Sequence, residues 1–488
     1  MLTLHHDIGG QWLPAASGGW LENIEPATGW VMSRIPDGDA RDVERAVEAA
    51  GAAFPGWSAT PAAERSRILL RIADLLEARL DDLARDESVD TGKPIRLART
   101  VDIPRAVSNF RHFATAILHF HSESHATDHE ALNYTLRRPL GIAGLISPWN
   151  LPLYLLSWKV APALASGNTA VAKPSEVTPL TAFRLGEIGR EAGLPPGVLN
   201  VVHGTGPRVG AAIAGHPRIP IVSFTGGTAT GAAVARTAAP LFKKLALELG
   251  GKNPNLVFAD ADLDEVIPAS LRCAFANQGQ ICLSGSRILV QERLYPSFTE
   301  RFVASARRLS LGDPLHESTD QGAVVSAAHR DKILSYIDLA RREGGQILCG
   351  GDAPEPVSER CRNGFFVSPT VITGLPLGSR VNQEEIFGPV VTITPFRDEE
   401  QAVAEANGTD YGLAASLWTS DLRRAHRLAD RIACGTIWIN CWLLRDLRVP
   451  FGGMKNSGVG REGGEEALRF FTEPKNICVR LTSGPADE

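Results

Sequence analysis

The sequence predicts an α/β protein with two units of sheet and helix, and three observations carry that prediction. The chain has 488 residues, enough for a large core and too many for one ordinary domain. From Gly141 onward, short uncharged runs alternate with helical patterns, as in a parallel sheet flanked by helices. After Gly250-Gly251 the alternation restarts with Leu256-Val-Phe258 and Arg287-Ile-Leu-Val290, so a second unit begins near residue 250.

Before Gly141 the pattern is mainly helical. Asp39 is placed to cap a helix through Arg41 and Val47, where apolar residues recur at helical spacing. A second helix follows Thr60, with Pro61 as its first residue and Ile68, Leu69, Ile72, Leu75 and Leu76 on its apolar stripe. Pro104 opens a third. The segment His121 to Arg138 is polar, then strand-like over Leu132–Arg137. The strands expected next are Gly141–Ile146, Thr169–Ala172, Val198–Val202, Ile219–Phe224 and Leu245–Leu249.

Bulk properties narrow the function. Fifty basic residues face 55 acidic ones without a dense basic block, which argues against nucleic acid or an anionic membrane as partner. Seven scattered cysteines suit a reducing compartment better than a disulfide framework. No signal peptide pattern and no run of roughly 18 apolar residues is present, so a cytoplasmic protein is expected.

Cys282 carries the most information. It lies in Asn277-Gln278-Gly279-Gln280-Ile-Cys282, among small and polar residues reached through a glycine turn. Alone, such a cysteine is as often a packing residue. Upstream, an apolar strand ends in a carboxylate, Glu248, followed by Gly250-Gly251. Thiol and carboxylate are the nucleophile and general base needed to make and hydrolyse an acyl-enzyme. Asn150, at the end of the Gly141–Ile146 strand, is a turn residue or a neutral donor to a developing oxyanion. Cys273 and Cys441 have no such base beside them and read as structural.

Pro148-Trp149-Asn150, Glu248-Leu-Gly-Gly-Lys-Asn-Pro254, Gly279-Gln-Ile-Cys282 and Glu384-Glu385-Ile-Phe387-Gly-Pro389 together resemble the aldehyde dehydrogenase superfamily in order and spacing, over nearly the whole chain. The resemblance implies an α/β aldehyde dehydrogenase-like fold: a Rossmann-type NAD-binding domain (1–122 and 145–249), a second α/β catalytic domain (250–464), and a β-arm for oligomerisation (123–144 and 465–488). A homodimer or homotetramer is then expected, with a small-molecule aldehyde as substrate. It implies Cys282 as nucleophile, Glu248 as base for water and Asn150 as oxyanion donor.

For the cofactor, Lys173 and Glu176 in Lys173-Pro-Ser175-Glu176 follow a strand and suit ribose hydroxyls; the carboxylate would repel a 2′-phosphate, favouring NAD. Phe224-Thr225-Gly226-Gly227 leads through Thr230 into a helix suited to a pyrophosphate, although it is not G-x-G-x-x-G. The family usually has a serine where Gly227 stands, which puts phosphate affinity in doubt. Ile146, Ser147, Pro148, Trp149, Leu249 and Gly250 complete the expected cofactor wall, with Glu385 and Phe387 at the nicotinamide ribose.

The stretch Asn440-Cys441-Trp442-Leu-Leu-Arg445 before Pro450-Phe-Gly-Gly453 resembles the 2-hydroxymuconic and 2-aminomuconic semialdehyde dehydrogenases. Arg445 and Arg105 would then grip a substrate carboxylate, with Tyr154 and Trp158 walling the tunnel. Other aliphatic aldehydes, betaine aldehyde and an inactive homologue are the alternatives; two arginines count against a cationic substrate. No metal is required, and His119, His121, His125 and His129 read as solvated.

Overall fold

The computed structural model describes residues 1–482, so residues 483–488 of the expected arm lie outside the described residues. An eight-stranded sheet runs in the order Gly458–Val459, Lys244–Glu248, Ile221–Thr225, Ile142–Ile146, Thr169–Lys173, Leu199–Val201, His6–Ile8, Gln11–Leu13. Its five central strands are parallel and are the five anticipated, each shifted by only a residue or two. Their largely apolar character follows from cover on both faces. Successive side chains point to opposite sides, so Ala143 and Leu145 enter one core while Ile142 and Ile146 enter the other.

Chain order reverses between Ile142–Ile146 and Ile221–Thr225, which leaves a crevice at their C-terminal ends. The edge strands were not anticipated. His6–Ile8 and Gln11–Leu13 are too short to show periodicity, and Gly458–Val459 joins the sheet from far along the chain. That last pairing, with Gly458 opposite Glu248, brings the segment around residues 452–462 against the carboxylate.

A second sheet, in the order Gln346–Cys349, Thr370–Thr373, Val390–Phe396, Arg287–Gln291, Pro254–Val257, Ala414–Trp418, Thr436–Ile439, is parallel except at its first pair. Ser124–Thr127, Ala131–Pro139 and Thr472–Arg480 form a separate antiparallel sheet.

The helix ends follow their caps. Asp39 accepts from the Arg41 amide at 2.9 Å, and Asp42 accepts from the Asp39 amide at 3.1 Å, closing a capping box on Ala40–Ala59. Pro61 sits just outside Ala62–Ala78, at the capping position, not inside the helix as expected. Pro104 follows directly on the wide helical turn Ala98–Asp102, so the helix does not open at Pro104 as expected but continues from Ile95. Among the described residues no helix is long and apolar enough to cross a membrane.

Candidate active site

Helix Leu263–Phe275 ends in a tight turn, Ala276–Gly279, before Cys282. Asn277, Gln278 and Gly279 all have left-handed backbones, with φ of 53°, 53° and 68°. Only glycine fits at 279, where a Cβ would lie 2.1 Å from the Gly388 carbonyl oxygen. For the other two the conformation costs about 1–2 kcal/mol each, and their side chains offset it. Gln278 Nε2 donates to Gly92 O at 2.9 Å and Ala323 O at 2.8 Å. Asn277 Nδ2 donates to Asn150 O and Gln280 O, both at 3.1 Å. The Cys282 carbonyl accepts from Asn253 Nδ2 at 2.7 Å, which pins the residue itself. Burial, then the Glu385 and Glu248 carboxylates, push the thiol up to about 12. Cys273, buried and bonded by the Gly285 amide at 3.2 Å, belongs to the core.

Asn150 ends the loop after Ile142–Ile146 and is 4 % exposed. Its Nδ2 donates to Gln280 O at 2.8 Å, so the amide is tied to the nucleophile turn and keeps a second N–H for a ligand.

Glu248 is the last residue of its strand and 4 % exposed, with neither carboxylate oxygen hydrogen bonded. A Cβ at Gly452 would stand 2.8 Å from Oε1, so the glycine leaves room for the carboxylate. Burial first, then the charge of Glu462, raise its pKa well above the usual range, against the pull of Lys159. Such a carboxyl must lose its own proton before it can accept one. Beside it, Lys159 Nζ donates to Glu462 Oε1 at 2.7 Å and to Ser223 Oγ at 2.9 Å.

A cleft of about 240 Å³ opens on Cys282 at the reversal point of the first sheet. Pro148, Trp149, Asn150, Thr225, Gly226, Gly227, Leu249, Gly250, Glu385 and Phe387 line it, as anticipated. Glu248 lies behind this wall, not in it. Ile146 and Phe224 are buried under the strand ends, and Ser147 is buried beside them. Phe224 supports the loop: a Cβ at Gly226 would meet its ring at 2.5 Å. Thr230 is exposed on helix Thr228–Ala238. Leu155, His329 and Lys332 also line the cleft and were missed. The last two share a face of helix Ala327–Arg342, and no motif marks them. His329 is held by Phe387 O at 2.7 Å and packs edge-on to Trp149; burial lowers its pKa to about 4.

The cleft fits a dinucleotide. Gly227 caps helix Thr228–Ala238 with no side chain and with no atom within 4 Å of its Cβ position, so the helix's first N–H groups stay free for phosphate. A Cβ at Gly250 would fall 2.5 Å from Glu385 Oε2, and the Gly251 amide donates to Glu385 Oε1 at 2.9 Å. Lys173 Nζ donates to Glu176 Oε2 at 2.6 Å, one strand over from the cleft. Burial would raise the Glu176 pKa, but Lys173 outweighs it and keeps the group ionised. Ser175 is buried between them.

The four expected substrate residues meet one another. Arg445 Nη1 donates to the Tyr154 hydroxyl at 2.9 Å. The Arg445 and Arg105 guanidinium carbons each lie 5.7 Å from the Trp158 ring centre. Arg445 also stacks on Phe451 at 4.1 Å. Among the described residues neither guanidinium has a carboxylate within ion-pair distance, and Arg105 Nε and Nη2 have no partner. Burial, and Arg445 itself, lower the Arg105 pKa.

A reversed strand order with a cleft at its switch point, and a thiol, an amide and a buried carboxylate around it, define an aldehyde-oxidising class. The family model for the aldehyde dehydrogenase family matches residues 12–477, and the chain belongs to that family. It is 52 % identical over 482 residues to 2-aminomuconic semialdehyde dehydrogenase of Bos taurus, covering 98 % of this chain and 99 % of that protein. It is 47 % identical to 2-hydroxymuconic semialdehyde dehydrogenase of Pseudomonas sp. (strain CF600), covering 99 % and 100 %. A solved structure of aldehyde dehydrogenase from Bacillus cereus in complex with NAD+ superimposes with a TM-score of 0.95 at 38 % identity, covering 98 % and 97 %. The protein is an oxidoreductase acting on aldehydes.

Proposed function

We propose that this chain oxidises a muconic-type semialdehyde, an acid bearing an aldehyde at the far end of a conjugated chain, to the dicarboxylate. The carrying observation is the pair of guanidiniums over Trp158, neither of which has a carboxylate partner among the described residues. Relatives named for 2-amino- and 2-hydroxymuconic semialdehydes support the same reading.

NAD supplies the hydride acceptor when bound. Lys173 and Glu176 would hold the adenosine ribose, the Gly226–Gly227 turn the pyrophosphate, and Glu385 the nicotinamide ribose. Cys282 attacks the aldehyde carbon after losing its proton, and the free N–H of Asn150 holds the resulting oxyanion. Loss of hydride leaves a thioester on Cys282. Glu248, once ionised, takes a proton from water as the water attacks the thioester, releasing the acid and the thiol. Arg105 and Arg445 keep the distal carboxylate in place, and Tyr154 and Trp158 flank the flat chain.

On this reading residues 1–122 and 145–249 carry the cofactor and 250–464 the thiol. Residues 123–144 with 465–482 form an arm that would pair with further copies in a cytoplasmic homodimer or homotetramer. The test is NADH formation with carboxylated and uncarboxylated aldehydes of equal length. A clear preference for the carboxylated member is expected; equal efficiency would leave an aldehyde dehydrogenase for simple aliphatic substrates.

A further inference from the structure

Beneath Asn150 lies a group of buried charges that the scheme above does not use. Glu87 and Lys93 are 0 % exposed and Asp102 is 1 % exposed. Glu87 belongs to helix Leu80–Thr91, Lys93 follows that helix, and Asp102 closes the wide helical turn Ala98–Asp102. Lys93 Nζ donates to Asp102 Oδ2, stands 3.5 Å from Glu87 Oε1, and donates to Asn150 O at 3.1 Å. Glu87 accepts from Thr181 Oγ1 at 2.8 Å.

The Asn150 carbonyl has two lone pairs and both are taken. Lys93 holds one, and Asn277 Nδ2, from the nucleophile's own turn, holds the other at 3.1 Å. The ammonium compensates the buried Asp102 and Glu87 carboxylates, but that compensation does not require the further bond to the Asn150 carbonyl.

We propose that Lys93 is a positioning residue for the oxyanion donor: its ammonium, anchored by Asp102, fixes the peptide plane of Asn150 against the Asn277–Cys282 turn. This rests on the reading of Asn150 as that donor. Without the ammonium the Asn150 carbonyl keeps only its tie to Asn277, and the side-chain amide, still bonded to Gln280 O, hangs from a peptide plane that is free to tilt.

Lys93→Met keeps the length and removes the charge. The test uses the full-length enzyme with NAD and an aldehyde it oxidises well, reading the single-turnover NADH burst, NAD affinity and Tm. A burst slower by roughly ten- to a hundredfold is expected, the range a misplacement of about 1 Å can produce, with NAD affinity unchanged. A merely structural lysine would move Tm alone, and a normal burst from folded Lys93→Met protein overturns the proposal. The cycle with Asn150→Ala gives the sharper readout. If Lys93 acts through Asn150, adding Lys93→Met to Asn150→Ala should slow the burst little further; losses that multiply would overturn the proposal. Should Lys93→Met fail to fold, Asp102→Asn enters the same cycle with the lysine retained and a smaller loss expected. An unchanged burst in Asn150→Ala alone removes the oxyanion reading, and this proposal with it.

Discussion

In the cleft at Cys282 backbone makes part of the wall, whereas the proposed substrate mouth is made of long side chains alone. Strand ends, a bare helix N-terminus and glycines at 226, 227 and 250 bound the cleft beside Trp149, His329 and Phe387, and two of the glycines have no room for a Cβ. The proposed mouth takes Arg105 from one helix, Tyr154 and Trp158 from a second, and Arg445 from a loop. Backbone geometry cannot be altered without rebuilding the fold, but a side chain can be exchanged one at a time. On the proposed reading the glycines serve the shared chemistry, and the long side chains serve the choice of substrate.

The thiol itself gives the largest expected effect. Cys282→Ala should abolish the NADH burst and any esterase side reaction, since among the described residues no other thiol lines the cleft. A surviving burst would end the nucleophile assignment.

Glu248→Gln comes next. Removing a general base typically costs about 10²–10⁴-fold, and the loss should fall on thioester hydrolysis, leaving an NADH burst followed by slow turnover. Because burial raises the Glu248 pKa, hydrolysis by the unaltered enzyme should speed up as pH rises until that carboxyl is ionised. Equal losses in burst and turnover would move Glu248 to an earlier step.

The comparison itself is tested by Arg105→Ala and Arg445→Ala. Each should lower kcat/KM for a carboxylated semialdehyde by roughly ten- to a hundredfold, the worth of a charged hydrogen bond of about 1.5–3 kcal/mol. Hexanal should be far less affected. If both arginines grip one carboxylate, the double variant should lose less than the product of the single losses. Equal penalties on both aldehydes would strip the mouth of its anion-binding role.

A smaller effect is a pH slope. With the thiol pushed up to about 12, iodoacetamide labelling of the cofactor-free protein should rise about tenfold per pH unit from 7 to 10, without a plateau. A plateau below pH 9 would mean that a neighbouring group already takes the proton.

Smallest of all, Glu176→Gln should improve NADP relative to NAD by roughly a few-fold, because the group is part-exposed and solvent screens it. No change in the cofactor ratio would remove Glu176 from the choice of cofactor.

The same contrast explains what the sequence made legible. The five parallel strands were readable because both faces are covered and their runs are largely apolar, with charge only at the ends. Glycine pairs marked the close approaches at 226 and 250 because no other residue leaves space there. His329 and Lys332 escaped because they reach the cleft from an otherwise ordinary helix, at positions set only by tertiary packing. Strand Gly458–Val459 escaped too, since two residues carry no period, yet it walls in Glu248. The position of Glu248 behind the cleft depends on that packing and has no local signal.

The turn before Cys282 also sets an order of events during folding. Its left-handed residues are held by Gln278 bonds to Gly92 and Ala323, which lie far away in the chain on either side of the thiol. Until those distant segments have come together, Asn277 and Gln278 lack the partners that offset their backbone cost, and the thiol has no defined place. Aldehyde oxidation should therefore be among the last properties to return on refolding, after helix content and after the sheets. A nascent or half-assembled chain carries its nucleophile unplaced.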